Sequence, residues 1–186
     1  MKKRIVIAAV LSVVLAASAN AQTTLSFLVA SEGTPQEVQA AIDKHADVNA
    51  YVGDMTPLII AATLNKDPEV ITTMLKAGAK LEAKDLRHGI GGTALVWAAY
   101  DNSNSEVIAT LLKAGADIKA RTVDNRTALM WASLNNSNPE VIIALLKAGA
   151  DAKAEDKLGK TALHYAQGNY KLKGTDALKK LEEASK

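Results

Sequence analysis

An all-α solenoid of about five helix-turn-helix units is the fold class that the sequence predicts, with extended, β-hairpin-like fingers joining one unit to the next. A threonine-led block recurs as Thr56-Pro57-Leu58, Thr93-Ala94-Leu95, Thr127-Ala128-Leu129 and Thr161-Ala162-Leu163, at spacings of 37, 34 and 34 residues. Each of the first three blocks is followed 22 residues later by a glycine: Gly78, Gly115 and Gly149. Between threonine and glycine stand Pro68-Glu69-Val70-Ile71, Ser105-Glu106-Val107-Ile108 and Pro139-Glu140-Val141-Ile142. A fixed period of this length marks units that cannot bury an apolar face alone and must stack on one another.

Residues 1–21 read as a cleavable signal peptide. Lys2-Lys3-Arg4 precedes Ile5–Ala17, thirteen residues with Ser12 as their one polar member, and Ala19-Asn20-Ala21 is a small-residue cleavage site. A basic start, a short apolar stretch and such a site form a secretory signal. Thirteen residues fall short of the roughly 20 that a spanning helix needs. Cleavage after Ala21 would leave Gln22 as the terminus of a periplasmic or secreted chain without a stable membrane anchor, residues 22–186.

The first unit, 24–52, lacks the threonine block and is expected to cap the N-terminal end. Thr34-Pro35-Gln36-Glu37 offers it a capping box, in which Glu37 reaches back to the threonine amide. His45 stands where later units have glycine, and histidine tolerates the left-handed region better than most residues. The repeats proper span 53–89, 90–123 and 124–157. Asp67-Pro68 and Asn138-Pro139 each place an N-cap acceptor before a proline at the first helical position. Val141, Ala144, Leu145 and Ala148 then fall on one apolar stripe. Gly78, Gly115 and Gly149 are expected to end the second helices in a left-handed conformation, with Lys76, Lys113 and Lys147 in the last turns to suit the helix dipole. The final unit, 158–186, has helices at Thr161–Gly168 and Thr175–Ser185, and Lys179, Lys180, Glu182 and Glu183 give it the wet outer face of a terminal cap.

These motifs resemble the ankyrin repeat family, whose signature is T-P-L-H-x-A at a period near 33. The resemblance covers nearly all of residues 24–186 and is similar to that of exported bacterial members. Two departures stand out. The turn between paired helices carries one extra residue, as in Leu134–Pro139, and Gly78 to Thr93 spans 15 residues where its counterparts span 12. The resemblance implies that His164 hydrogen-bonds the Thr161 hydroxyl in a structural role, that first helices line a concave face, and that partner contacts lie at the finger tips.

Without residues 1–21 the chain has 19 basic against 20 acidic residues, a balance that argues against nucleic acid, which needs a basic face. The absence of cysteine excludes disulfides, thiolate metal sites and cysteine nucleophiles. The three histidines are scattered, no carboxylate pair is singled out, and Gly89, Gly91 and Gly92 lack phosphate-loop spacing, so they read as an irregular, mobile loop. No enzyme activity, cofactor or metal is expected.

Binding falls to positions that stacking leaves free. Four residues after each threonine come Ile60, Trp97, Trp131 and Tyr165, which stacked units set in a column, and Tyr100 and Leu134 lie one turn further on. Trp97 and Trp131 are either packing between neighbouring helices or, with Tyr165, part of an exposed aromatic stripe of the kind enriched in binding hot spots. Tyr51, Arg87, His88, Arg121, Asp124, Arg126, Glu155 and Lys157 fall on the fingers. The expectation is an exported, monomeric, non-catalytic scaffold that binds another protein through its concave face and finger tips. Alternatives are an immunity protein that inhibits a toxin enzyme, or a protector of a periplasmic enzyme.

Overall fold

Threonine, aspartate and asparagine start the helices, and each pair of helices is one unit. The computed structural model describes residues 25–86 and 89–186; the proposed signal segment and its Ala21 cleavage point lie outside these. The five units are α1 (Phe27–Glu32) with α2 (Pro35–Asp43), α3 (Pro57–Leu64) with α4 (Pro68–Lys76), α5 (Ala94–Asp101) with α6 (Ser105–Lys113), α7 (Ala128–Asn135) with α8 (Pro139–Lys147), and α9 (Ala162–Gly168) with α10 (Asp176–Ala184). A short 3-10 turn at Tyr170–Leu172 joins the last pair.

Capping follows the local chemistry. Thr34 and Glu37 close the capping box of α2. Asp67, Asn104 and Asn138 each accept the amide two residues on, in Glu69, Glu106 and Glu140. Gly78, Gly115 and Gly149 take φ of 89°, 94° and 88°, and His45 takes 65°. A side chain in that region costs roughly 1 kcal/mol, which is why glycine recurs there.

First helices pack on first helices and second helices on second helices along the whole series. The sequence of α3 shows why: Pro57 to Thr63 are all buried, so the helix is apolar all round and has neighbours on both flanks and a partner behind. In α4 only Val70, Ile71 and Met74 are buried, a single stripe with the opposite face in water. Of α10, Ala177 and Leu181 are buried while Lys179, Lys180, Glu182 and Glu183 are exposed, the wet face of a terminal cap.

The extra residue in the inter-helix turn has a structural use. Asn65, Asn102, Asn136 and Asn169 occupy that turn, all buried. Asn102 donates from Nδ2 to the carbonyls of Ala62 (2.9 Å) and Asn65 (2.7 Å) in the preceding unit, and its Oδ1 accepts the Asn104 amide (2.8 Å). Asn136 repeats this onto Ala99 and Asn102, and Asn169 onto Ser133 and Asn136. Asn65 begins the ladder on Ala30 and Gly33. Carbonyls left over at helix ends are thus satisfied by the next unit.

The fingers differ from the hairpins expected. Among the described residues there is no strand, and the Val52–Met55 bridge stands isolated. A backbone bond closes each later finger: Asp85 N–H donates to Gly92 O, Thr122 N–H to Arg126 O, and Asp156 N–H to Lys160 O. One backbone bond then ties each tip to the one before, from Leu86 to Asp54, Val123 to Ile90, and Lys157 to Asp124. A single bond per finger is too little for a ladder. The glycines of the second finger also have a definite task at one position. Gly92 is buried, and a Cβ there would lie 2.8 Å from Trp97 Nε1, so close packing of finger against indole demands glycine.

Candidate protein-binding face

Each first helix starts at its threonine and carries its fifth residue, counting that threonine, toward the fingers, so Ile60, Trp97, Trp131 and Tyr165 stand in register on α3, α5, α7 and α9. The rings of Trp97 and Trp131 stack with centroids 6.5 Å apart and planes 24° from parallel. Tyr100 meets both edge-on, at 5.9 and 5.4 Å. The Arg126 guanidinium lies between Trp131 (5.2 Å) and Tyr165 (5.0 Å), and Lys160 Nζ sits 5.9 Å from the Tyr165 ring. Aromatic pairs add about 0.5–1.5 kcal/mol beyond area burial, so the column stiffens the face it crosses.

Finger carboxylates fasten the column from the other side. Asp85 Oδ2 accepts both the Gly92 amide and Trp97 Nε1–H, the latter at 2.8 Å. Asp156 Oδ1 accepts the Leu158 and Lys160 amides, while Oδ2 accepts the Tyr165 hydroxyl and, at 3.3 Å, Arg126 Nε–H. Burial raises the Asp156 carboxyl, but the Tyr165 hydroxyl, the two amides and Arg126 outweigh it and hold the group well below the usual aspartate range. Burial, then the bond to Asp156, pushes the Tyr165 hydroxyl up.

The structure sorts the residues singled out in the sequence. Trp97 and Tyr165 are each only 8% exposed, and their polar atoms are taken by Asp85 and Asp156. Both rings therefore pack between neighbouring elements and leave only an edge open, which for Trp97 favours packing over an exposed stripe. Trp131 and Tyr100 remain half-buried. Tyr51 is 42% exposed and donates its hydroxyl to Lys84 O. Arg121 donates to the carbonyls of Asn125 (2.8 Å) and Glu155 (3.0 Å), tying the third finger to the fourth. Arg126 is partly buried against Asp156. Arg87 and His88 lie outside the described residues.

His164 departs from what the resemblance implied. The Thr161 hydroxyl accepts the backbone amide of His164 (3.4 Å), and the imidazole is exposed, edge-on to Tyr165.

Leu86, Val123 and Leu158, at 63%, 55% and 69% exposure, were not singled out by the sequence. They put one apolar side chain on each of the last three fingers, and a large aliphatic residue in a turn that stacking does not require was their one available signal. Leu134, one turn beyond Trp131, is 38% exposed. Ile90, Val96, Trp97, Tyr100 and Trp131 meet in a closely packed apolar patch with no room for a water molecule between them. Among the described residues no three His, Asp or Glu side chains gather to hold a metal, and no helix is long and apolar enough to cross a membrane.

A family model for ankyrin repeats, in three copies, matches residues 26–122 and 95–181. No curated protein matches the chain. The chain belongs to the ankyrin repeat family, whose repeats mediate protein–protein interaction and typically serve as non-catalytic scaffolds.

Proposed function

We propose that this member of the ankyrin repeat family is an exported, non-catalytic scaffold that holds a partner protein across its finger tips and the adjoining first-helix face. The row of exposed apolar tips, Leu86, Val123 and Leu158, beside half-open Tyr100, Trp131 and Leu134, is the observation that supports this most. Solitary surface leucines are ordinary, but one on each successive finger makes a repeated apolar edge. Inter-finger bonds and the aromatic column hold that edge stiff, which lowers the entropy lost on docking. Export rests on residues 1–21, and mature protein recovered from outside the cytoplasm should begin at Gln22.

The test is a pull-down from periplasmic extract with residues 22–186, set against Leu86→Ser, Val123→Ser and Leu158→Ser combined. The triple variant should keep its melting temperature and lose the captured protein. Capture undiminished by the triple variant would remove the finger tips from the reading. A second reading, favoured by the export signal combined with a rigid solenoid, is an immunity protein that inhibits a toxin enzyme, or a protector of a periplasmic enzyme. A captured enzyme whose activity falls on titration with the chain supports inhibition, and one whose thermal half-life lengthens supports protection.

A further inference from the structure

Four fingers face four first helices, and in three of the pairs the side chains match. In the first, Val52 and Ile60 are both apolar. Asp85 takes the indole N–H of Trp97, and Asp156 takes the hydroxyl of Tyr165. The third pair is Thr122 with Trp131. Thr122 closes its finger as the aspartates do, with its N–H on Arg126 O and its Oγ1 accepting the Arg126 amide at 3.2 Å. That hydroxyl also donates to Arg126 O and makes no bond to the indole. Trp131 Nε1–H is buried and finds no hydrogen-bond partner among the described residues. A buried donor left unpaired is costly, and such groups in native structures call for an explanation.

The same unit carries a cation in place of the missing acid. The finger-closing position is Gly92 in the second finger, Arg126 in the third and Lys160 in the fourth. Arg126 gives Nε–H to Asp156 of the following finger, and its side chain is 20% exposed. Its guanidinium carbon lies 5.2 Å from the centroid of the Trp131 ring, so the cation and the buried N–H belong to one patch. The apolar side chains of Ile90, Tyr100 and Trp131 adjoin it.

We infer that Trp131 and Arg126 form a subsite for a carboxylate side chain of the partner protein, an aspartate or glutamate that supplies from outside what Asp85 and Asp156 supply from within. An apolar neighbour of that acid packs against the half-buried Tyr100 ring. Because Trp131 Nε1 is covered in the free chain, the acid reaches it as the neighbouring side chains move aside, and loss of the N–H slows capture and speeds release together. The inference rests on the protein-binding reading above and adds the chemistry of the anchor.

The test selects a displayed library of random twelve-residue peptides on residues 22–186, which contain all ten helices. Selected peptides should carry Asp or Glu next to an apolar residue. Titrating the best of them should move one of the two indole N–H resonances, Trp131's, and leave Trp97's in place. Trp131→Phe keeps a ring and removes the N–H, while Thr122→Asp supplies an internal carboxylate; each should weaken the peptide at least tenfold. Changing the peptide's acid to its amide should cost as much, and Trp131→Phe should then add nothing. Thr122→Asp should also raise the melting temperature, a readout independent of binding. Peptides without an acid preference, or equal binding by both variants, would overturn the subsite. Failure to select any peptide while a partner is still captured through the finger tips overturns the subsite and leaves the proposed function standing, whereas loss of both overturns both.

Discussion

Asn102→Ala is the substitution that best tests how the units are held together. Asn102 is 2% exposed and makes three side-chain hydrogen bonds, to Ala62 O at 2.9 Å, Asn65 O at 2.7 Å and the Asn104 amide at 2.8 Å. Removal deprives two carbonyls and one amide of their partner at the junction of the second and third units. At about 1 kcal/mol net for each bond, with more where a buried group is left unpaired, the loss should be about 3–5 kcal/mol. That is a large share of the roughly 5–15 kcal/mol by which a domain is stable. Asn104→Ala, whose Nδ2 bond to Lys66 O is exposed, should cost only about 1 kcal/mol through its cap. Asn102→Asp keeps Oδ1 but turns an oxygen toward two carbonyls, so it should be no milder than alanine. Urea unfolding followed by circular dichroism gives each value. If Asn102→Ala lies within 1 kcal/mol of the parent at unchanged m-value, the ladder contributes nothing to cohesion and the reasoning is refuted.

Asp156→Asn should destabilise by about 3 kcal/mol or more, since Arg126 loses its carboxylate in a partly buried site, and differential scanning calorimetry reads it as a lower melting temperature. The same group sets an acid limb. Its folded carboxyl titrates below the ordinary aspartate value of 3.8, so the unfolded chain takes the proton first as pH falls. Its stabilisation is therefore complete above about pH 5 and is lost downward from there, and unfolding free energies measured between pH 5 and pH 2.5 should fall less steeply in Asp156→Asn than in the parent. Gly92→Ala puts a methyl 2.8 Å from Trp97 Nε1 and should cost about 1–3 kcal/mol in urea unfolding, with a shift in tryptophan emission as the bond to Asp85 breaks. Gly115→Ala, at φ 94° with open space around it, should cost only about 1 kcal/mol, and Gly115→Asn less, by the same measurement.

The helices were legible because their signals are local. Asp67 before Pro68, or Thr34 three residues before Glu37, specifies a helix start within one turn of chain, and the structure places α4 and α2 there. The column of Ile60, Trp97, Trp131 and Tyr165 was also legible, since register follows from the repeat period. How far each ring is covered was not, because exposure depends on what the neighbouring finger brings: Asp85 takes the Trp97 indole N–H, while Thr122 bonds to Arg126 and not to Trp131. The asparagine ladder was present in the sequence at positions 65, 102, 136 and 169, yet asparagine in a turn looks the same whether it bonds locally or reaches across a unit. The fingers were expected to be β-hairpin-like, and hairpins are not confirmed, since the described finger residues hold no strand and one isolated bridge.

The asparagine ladder also gives the molecule a direction. Every amide points back toward the amino-terminal neighbour: Asn65 to Ala30 and Gly33, Asn102 to Ala62, Asn136 to Ala99, Asn169 to Ser133. Within that ladder, shortening the chain from its carboxyl end leaves carbonyls without a donor, whereas trimming the front leaves an asparagine amide without its acceptors. A chain that emerges front end first meets a finished docking surface at each step, so growth in that order needs no waiting, and the two edges of the protein are unequal in what they can lose.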